Sequence, residues 1–183
     1  MGELVVWARE AAEQMLADAL PVRWRHVQAV AEKAGTVAGL VPDGDAELLI
    51  AAAWLHDIGY AADLAVTGLH ALDGGRWLRD VGQSMRLASL VAHHSCATFE
   101  AAERGLAEVL NSEFEQEESI TADALWYSDM TTGPDGRSMD VQARLAEVDQ
   151  RYGPDHLVTR FWVRARPTLF AAIARVEAVR QPM

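Results

Sequence analysis

Residues 45–60 read DAELLIAAAWLHDIGY, and eight uninterrupted apolar residues at 48–55 lead directly into His56-Asp57. A helix over this stretch is apolar on every side, which is typical of a buried helix. His56 stands four residues after Ala52 on one apolar face, and Asp57 stands on the neighbouring apolar face. Buried polar side chains need partners. The stretch therefore predicts a central helix that ends on two inward polar groups.

Other segments with helical periodicity repeat this pattern of a polar residue on an apolar face. Beyond His56 and Asp57, the polar residues in line with such faces are His26, His70, His94 and Asp129, with His93 at the edge of its stripe. Taken singly, a buried His is most often a hydrogen-bonded core residue, His56-Asp57 can be a capping pair, and Asp129 can be a helix-end residue. Taken together, these inward groups on five helical segments favour metal binding. Imidazole and carboxylate ligands without thiolate suit Fe, Mn, Co, Ni or Zn better than Mg.

The fold class expected from the periodicity is all-α, because no segment alternates with the period of a strand over a useful length. The predicted helices cover residues 3–19, 21 to about 35, 45–57, a stretch from 70, 84–94, 121–130, 138–152 and 155–180. The acidic segment 111–119 is expected to be a solvated loop or lid. No linker divides the chain, so residues 1–183 are predicted to form one domain, with its motif-bearing part at about 21–132 and helices 138–180 packed on it.

Composition narrows the class of function. The 183 residues include 16 Lys plus Arg against 27 Asp plus Glu, and the net charge of −11 opposes binding to nucleic acid while allowing a small anionic substrate near a local cation. One cysteine, Cys96, permits no internal disulfide and no thiolate cluster. The longest apolar run is far below the roughly 20 residues of a membrane span, and Glu3 precedes the first basic residue, Arg9. A cytoplasmic protein is expected, with its oligomeric state left open.

The order of these residues resembles that of the HD-domain superfamily of metal-dependent phosphohydrolases. Its motifs are a His, a His-Asp pair, further His residues in some branches and a distant Asp. Arg23, three residues before His26, also matches a frequent feature of the family. The resemblance implies an HD-type helical bundle with two metal ions. It assigns His26, His56, Asp57 and Asp129 to the first ion, and His70 with one or both of His93 and His94 to the second, bridged by Asp57.

The implied activity is hydrolysis of a small nucleotide or related phosphate ester by metal-activated water. Asp57 would orient the bridging solvent, and Asp129 would complete the first site and accept a proton; Asp63 and Asp73 are conceivable supporting acids. Two alternatives share the ligand order: a mixed-valence di-iron oxygenase and a non-catalytic metal- or nucleotide-binding module.

Two departures from the family pattern restrict the substrate. Tyr60 stands where cyclic-di-GMP phosphodiesterases have Lys, and Ser95-Cys96-Ala97 stands where they have Gly-Tyr-Pro, which disfavours that substrate. Other cations must then contact the phosphate, and the candidates are Arg76, Arg79, Arg86, Arg104 and Arg137. Cys96 is expected to be a buried filler and His156 a surface residue.

Overall fold

The computed structural model describes residues 2–180, in which the regular elements are helices and no strand is found. These residues form ten α-helices: α1 Glu3–Leu16, α2 Pro21–Val37, α3 Asp45–Leu55, α4 His70–Asp80, α5 Met85–Ala92, α6 Ala97–Glu103, α7 Ala107–Glu113, α8 Ile120–Met130, α9 Val141–Tyr152 and α10 Leu157–Arg180. The predicted all-α class is confirmed. Within this range no helix combines the length and apolar character needed to cross a membrane.

Helix α3 lies at the centre of the molecule. It packs against α1, α2, α5 and α8, and Leu49, Ala52 and Leu55 are fully buried. An apolar surface on all sides is what a helix surrounded by other helices requires. Its axis ends at Leu55, and a 3₁₀ turn at Ile58–Tyr60 follows. His56 and Asp57 therefore occupy the interior point at which the surrounding helices converge.

Gly59 explains how the chain leaves this point. A Cβ at position 59 would lie 2.0 Å from the carbonyl oxygen of His70 and 2.7 Å from the backbone nitrogen of Gly74. The turn after α3 thus packs backbone to backbone against the start of α4, which brings His70 beside Asp57.

The acidic region differs from the sequence-based expectation. Residues 111–113 belong to α7 and not to a loop, and α6 was not predicted at all. Leu110 is fully buried and Phe114 is 1% exposed, so these two apolar side chains anchor the segment to the core despite its charge. Only residues 114–119 lack helical structure.

The C-terminal helices pack on the rest of the bundle. Helix α10 contacts α6, α8 and α9, and the buried residues from α1 to α10 form one continuous apolar cluster. Helix α9 begins at Val141, three residues later than predicted, because the Asp140 side chain accepts hydrogen bonds from the backbone N–H groups of Gln142 and Ala143. Residues along α9 and in the first turns of α10 line the same pocket as Asp57 at the end of α3.

Candidate metal centre

Six of the polar residues predicted to point inward meet in two groups of three. His26, His56 and Asp129 form the first group, and Asp57, His70 and His94 form the second; within each group the ligand atoms lie within 4.8 Å of one another. All are buried except His70, which is partly buried. They come from α2, the end of α3, the start of α4, the turn after α5 and the end of α8.

Asp57 lies between the two groups. Its Oδ2 is 3.3 Å from Nε2 of His56, and its Oδ1 is 3.4 Å from Nε2 of His70. In the first group, Nε2 of His26 is 3.0 Å from Oδ1 of Asp129. The two carboxylate oxygens of Asp57 thus face different groups, as a bridging ligand requires.

Backbone carbonyls fix three of the imidazole rings. Nδ1 of His26 lies 2.9 Å from the Gly133 carbonyl oxygen, Nδ1 of His56 lies 2.8 Å from that of Ala53, and Nδ1 of His94 lies 2.6 Å from that of Val91. A carbonyl only accepts, so each Nδ1 carries the proton, and in the neutral form of the ring Nε2 presents its lone pair to the cluster. Metal-binding histidines are commonly oriented in this way.

The fit to a cation is tested by Nε2 of His56. This atom is buried and has no hydrogen-bond partner among residues 2–180, although Asp57 and Asp129 lie nearby. A buried polar atom without a partner is costly, and a metal ion coordinated by Nε2 and the carboxylates would remove that cost. The donor set and its orientation fit a divalent transition metal.

The carboxylates are held ionised. Burial favours the neutral form of Asp57, but Arg23 and His56 outweigh it and hold the pKa of this carboxyl well below its usual range. The guanidinium of Arg23 donates to Oδ2 at 2.6 Å. For Asp129, burial is likewise outweighed, here by the hydrogen bond to His26 and the charge of His56, which lower its pKa. Both groups are therefore in the anionic form that binds metal.

The pKa values of the histidines are shifted in opposite directions. Burial lowers the pKa of His70 and of His94, so both are neutral near pH 7. Burial also disfavours a charged His56, but the carboxylates of Asp57 and Asp129 outweigh it and raise its pKa to about 9. The cluster therefore attracts a positive charge to His56, and a proton and a metal ion compete for the same nitrogen.

His93 lies apart from both groups. Its Nε2 is 2.9 Å from the carbonyl oxygen of Phe114, and its Nδ1 is 3.2 Å from Oγ1 of Thr98. Helix α5 ends at Ala92, and the next turn sends His94 inward while His93 points to the segment after α7. We leave His93 out of the ligand set proposed below.

The supporting acids considered from sequence lie elsewhere. Asp73 accepts hydrogen bonds from the backbone N–H groups of Val66 and Thr67 at 3.1 and 3.0 Å and so holds the loop before α4, and Asp63 is exposed. Cys96 is buried, which raises the pKa of its thiol, and His156 is exposed at the mouth of the pocket.

Most of the arginines considered for phosphate recognition are engaged away from the site. Arg76 and Arg79 pair with Glu113, and Arg86 pairs with Asp45 and Glu117. Arg137 is highly exposed, with 88% of its side chain accessible. Of the five, only Arg104 lines the pocket of about 280 Å³ that opens over the two groups.

Sequence reasoning missed several side chains of this pocket. The hydroxyl of Ser95 donates to Oδ2 of Asp129 at 2.5 Å, and both Ser95 and Cys96 have positive φ, 46° and 62°. Two consecutive non-glycine residues in the left-handed region are strained, and such strain is concentrated at functional sites. No local pattern marks them, because neither is Gly or Asn.

Arg144, Val148 and Arg151 of α9 also line the pocket. Their spacing of four and three residues on one helix face is a signal that the sequence did contain.

Fold and site together define a class: an all-helical domain in which a His, a His-Asp pair, two further His residues and a distant Asp form two buried clusters able to bind metal. The HD domain family model matches residues 23–147, about two thirds of the chain, and the protein belongs to the HD domain family. No curated protein and no solved structure matches it.

Proposed function

We propose that the protein is a metal-dependent phosphohydrolase that cleaves a small phosphate ester with a metal-activated water. The observation that carries this proposal is the position of Asp57 between two groups whose histidine Nε2 atoms face inward. Membership of the HD domain family, in which metal-dependent phosphohydrolysis is common, supports the same reaction class.

The proposed ligands divide between two ions. His26, His56 and Asp129 would hold the first, and His70 and His94 the second, with Asp57 shared between them. When bound, such ions lower the pKa of a bound water to roughly 7 and polarise the phosphoryl oxygen.

The chain's own residues orient this site. Arg23 keeps Asp57 ionised and fixes the direction of its Oδ2 through the 2.6 Å contact. Ser95 holds Oδ2 of Asp129, which leaves Oδ1 facing His26. In the proposed reaction, Asp129 takes the proton released by the attacking water.

Arg23 is also the proposed phosphate contact. Its guanidinium lies 4.1 Å from the ring centroid of Tyr60, and that ring stacks on His70 with centroids 4.1 Å apart. Arginine has five N–H donors, and the single donor used on Asp57 leaves others for a phosphate oxygen in the pocket. Arg23 on α2 would thus take the place of the Lys that cyclic-di-GMP phosphodiesterases have at the position of Tyr60.

The test combines metal analysis with a substrate screen. Protein purified without chelator is analysed for its metals, and phosphate release from a panel of phosphomonoesters and diesters is measured anaerobically with Mn²⁺, Co²⁺ or Ni²⁺. We expect release without oxygen, with loss in H56A and with wild-type rates in D63N, because Asp63 is exposed and lies outside both groups and the pocket. Substrate-dependent oxygen uptake by an iron-loaded protein would favour an oxygenase instead, and ligand binding without turnover would favour a binding module.

A further inference from the structure

Helices α9 and α10 form a roof over the proposed metal site. The part of this roof that follows the family match at residue 147 supplies Arg151, Tyr152, His156, Val158, Phe161 and Trp162 to the pocket. The floor of the pocket belongs to the two His/Asp groups. Most of the roof is thus built by residues that follow the family match, with Arg144 just inside it.

Four arginines line the pocket of this acidic protein, Arg23, Arg104, Arg144 and Arg151, against three lining carboxylates, Asp57, Glu100 and Asp129, while the chain as a whole carries −11. A fourth carboxylate, Glu147, pairs with two of these arginines, so the pocket is close to neutral before metal binds. Two bound metal ions would make it positive. A local field of this sign favours an anionic ligand.

Arg144 is the buried cation of the roof. The residue is 9% exposed, its Nη1 donates to Glu147 at 2.5 Å, and its Nε has no hydrogen-bond partner among residues 2–180. Glu147 also accepts from Arg151, so one carboxylate serves two arginines and the roof keeps a net positive charge. Arginine has five N–H donors, so the Arg144 side chain, which lines the pocket, has donors beyond the one used on Glu147 with which to bind an anionic group of a ligand.

The rest of the roof is aromatic. Phe161 and Trp162 are 4% and 6% exposed, with ring centroids 4.8 Å apart, and Tyr152 stacks on His156 at 4.7 Å near the mouth. Aromatic faces pack best against flat groups in offset or edge-to-face contact. The volume of about 280 Å³ lies just below the range of ordinary ligand pockets, roughly 300 to 1,000 Å³. This combination suits one ring and one phosphate.

We propose that the α9–α10 roof is the leaving-group subsite for a small phosphomonoester whose leaving group is planar and carries a carboxylate that Arg144 binds. In this orientation the phosphate lies at the two His/Asp groups and the ring lies under the roof, an assignment that rests on the proposed function. Arg144 acts here as a specificity residue and Trp162 as the surface on which the ring packs.

The test uses three phosphonates, whose P–C bond cannot be hydrolysed: methylphosphonate, benzylphosphonate and 4-carboxybenzylphosphonate. Their dissociation constants for the Mn²⁺-loaded full chain are measured by calorimetry. We expect affinity to rise along this series. R144Q should weaken 4-carboxybenzylphosphonate about tenfold or more, as expected for loss of a charged hydrogen bond, and should leave methylphosphonate within about twofold because this probe does not reach the roof.

The matched control is R166Q. Arg166 joins α10 to α9 through Asp149 and, like Arg144, has an Nε without a hydrogen-bond partner among the described residues, but it does not line the pocket. We expect R166Q to bind all three probes like the wild type. W162L should weaken both benzyl compounds and not methylphosphonate. If circular dichroism shows that R144Q does not fold, R144K is measured in its place, because it keeps the charge and loses only the planar guanidinium.

The outcomes separate the two proposals. Equal affinity for the three probes, no measurable binding of any, or equal losses in R144Q and R166Q would overturn the subsite, whatever the phosphate-release assay shows. Selective binding that depends on Arg144, in a protein that releases no phosphate from any ester, would retain the subsite and overturn the proposed hydrolysis.

Discussion

Replacing Asp57 by Asn is expected to abolish the thermal stabilisation that a divalent metal ion gives this protein. Asp57 is 3% exposed, its Oδ2 accepts from Arg23 at 2.6 Å, and its two oxygens lie 3.3 and 3.4 Å from the Nε2 atoms of His56 and His70. Asn keeps the size of the side chain but removes the charge and replaces one oxygen by an NH₂ group. One of the two groups must therefore lose its ligand.

The expected loss of stability in D57N has two parts, one in the metal-free protein and one in the metal-bound protein. Removing one partner of a fully buried ion pair costs about 3–5 kcal/mol. Because the Arg23 side chain is 32% exposed, water screens part of the lost interaction, and we expect a smaller cost, about 1–3 kcal/mol. A metal ion at about 100 times its Kd stabilises the wild type by about 2.7 kcal/mol. For a chain of this size that raises Tm by about 5–11 °C, and D57N should show none of this rise.

The assay is thermal unfolding with and without Mn²⁺, paired with elemental analysis of the same samples. D63N is the matched control, since Asp63 is an exposed aspartate a few residues further along the chain, and it should keep the full metal-induced rise. A D57N protein with wild-type metal content and a wild-type rise in Tm would refute the bridging role.

Three further predictions concern residues around the site and the helix that supports it. H94Q should lower the metal content per chain while H93Q leaves it unchanged, because only His94 belongs to a group; elemental analysis showing the opposite order would contradict the assignment. S95A removes the hydroxyl that donates to Oδ2 of Asp129 and should weaken metal binding about tenfold, measured by competition with a chelator. An unchanged affinity would show that Ser95 does not orient Asp129 for metal binding. Arg76 and Arg79 of α4 lower the pKa of Glu113 to about 2, which is below its value of about 4.3 in the unfolded chain. The stabilisation that Glu113 contributes is therefore fully present above about pH 4.3 and is lost as the pH falls towards 2. E113Q should therefore be less stable than the wild type at pH 7, by at most about 1 kcal/mol, and the difference should shrink at pH 3 in urea unfolding, whereas E115Q at a neighbouring exposed position should show no such pH-dependent difference.

The sequence by itself determined the helical class and the inward direction of the polar residues. The apolar run 48–55 predicts a buried helix, and helical phase alone places His56, Asp57 and Asp129 on buried faces. These inferences succeed because both depend on the 3.6-residue period, which is local. The family match confirms the resemblance drawn from the order of His and Asp residues.

Helical periodicity did not predict the short polar helices α6 and α7. Helix α7 is acidic, and its stability depends on Leu110 and Phe114 reaching a core formed by distant parts of the chain. Isolated helices of this length are marginal in water, so tertiary burial and not local propensity decides that the segment is helical.

Tertiary structure alone decided which inward residues meet. His93 and His94 are adjacent and both are buried, yet where α5 ends one ring joins the group of Asp57 and His70 and the other meets the carbonyl of Phe114. Likewise, the face of α9 that carries Arg144 is apparent as a periodic stripe, but its position over the site depends on how α10 packs against α6 and α8. Periodicity fixes the side of a helix on which a residue lies, whereas packing between distant segments fixes what that side contacts.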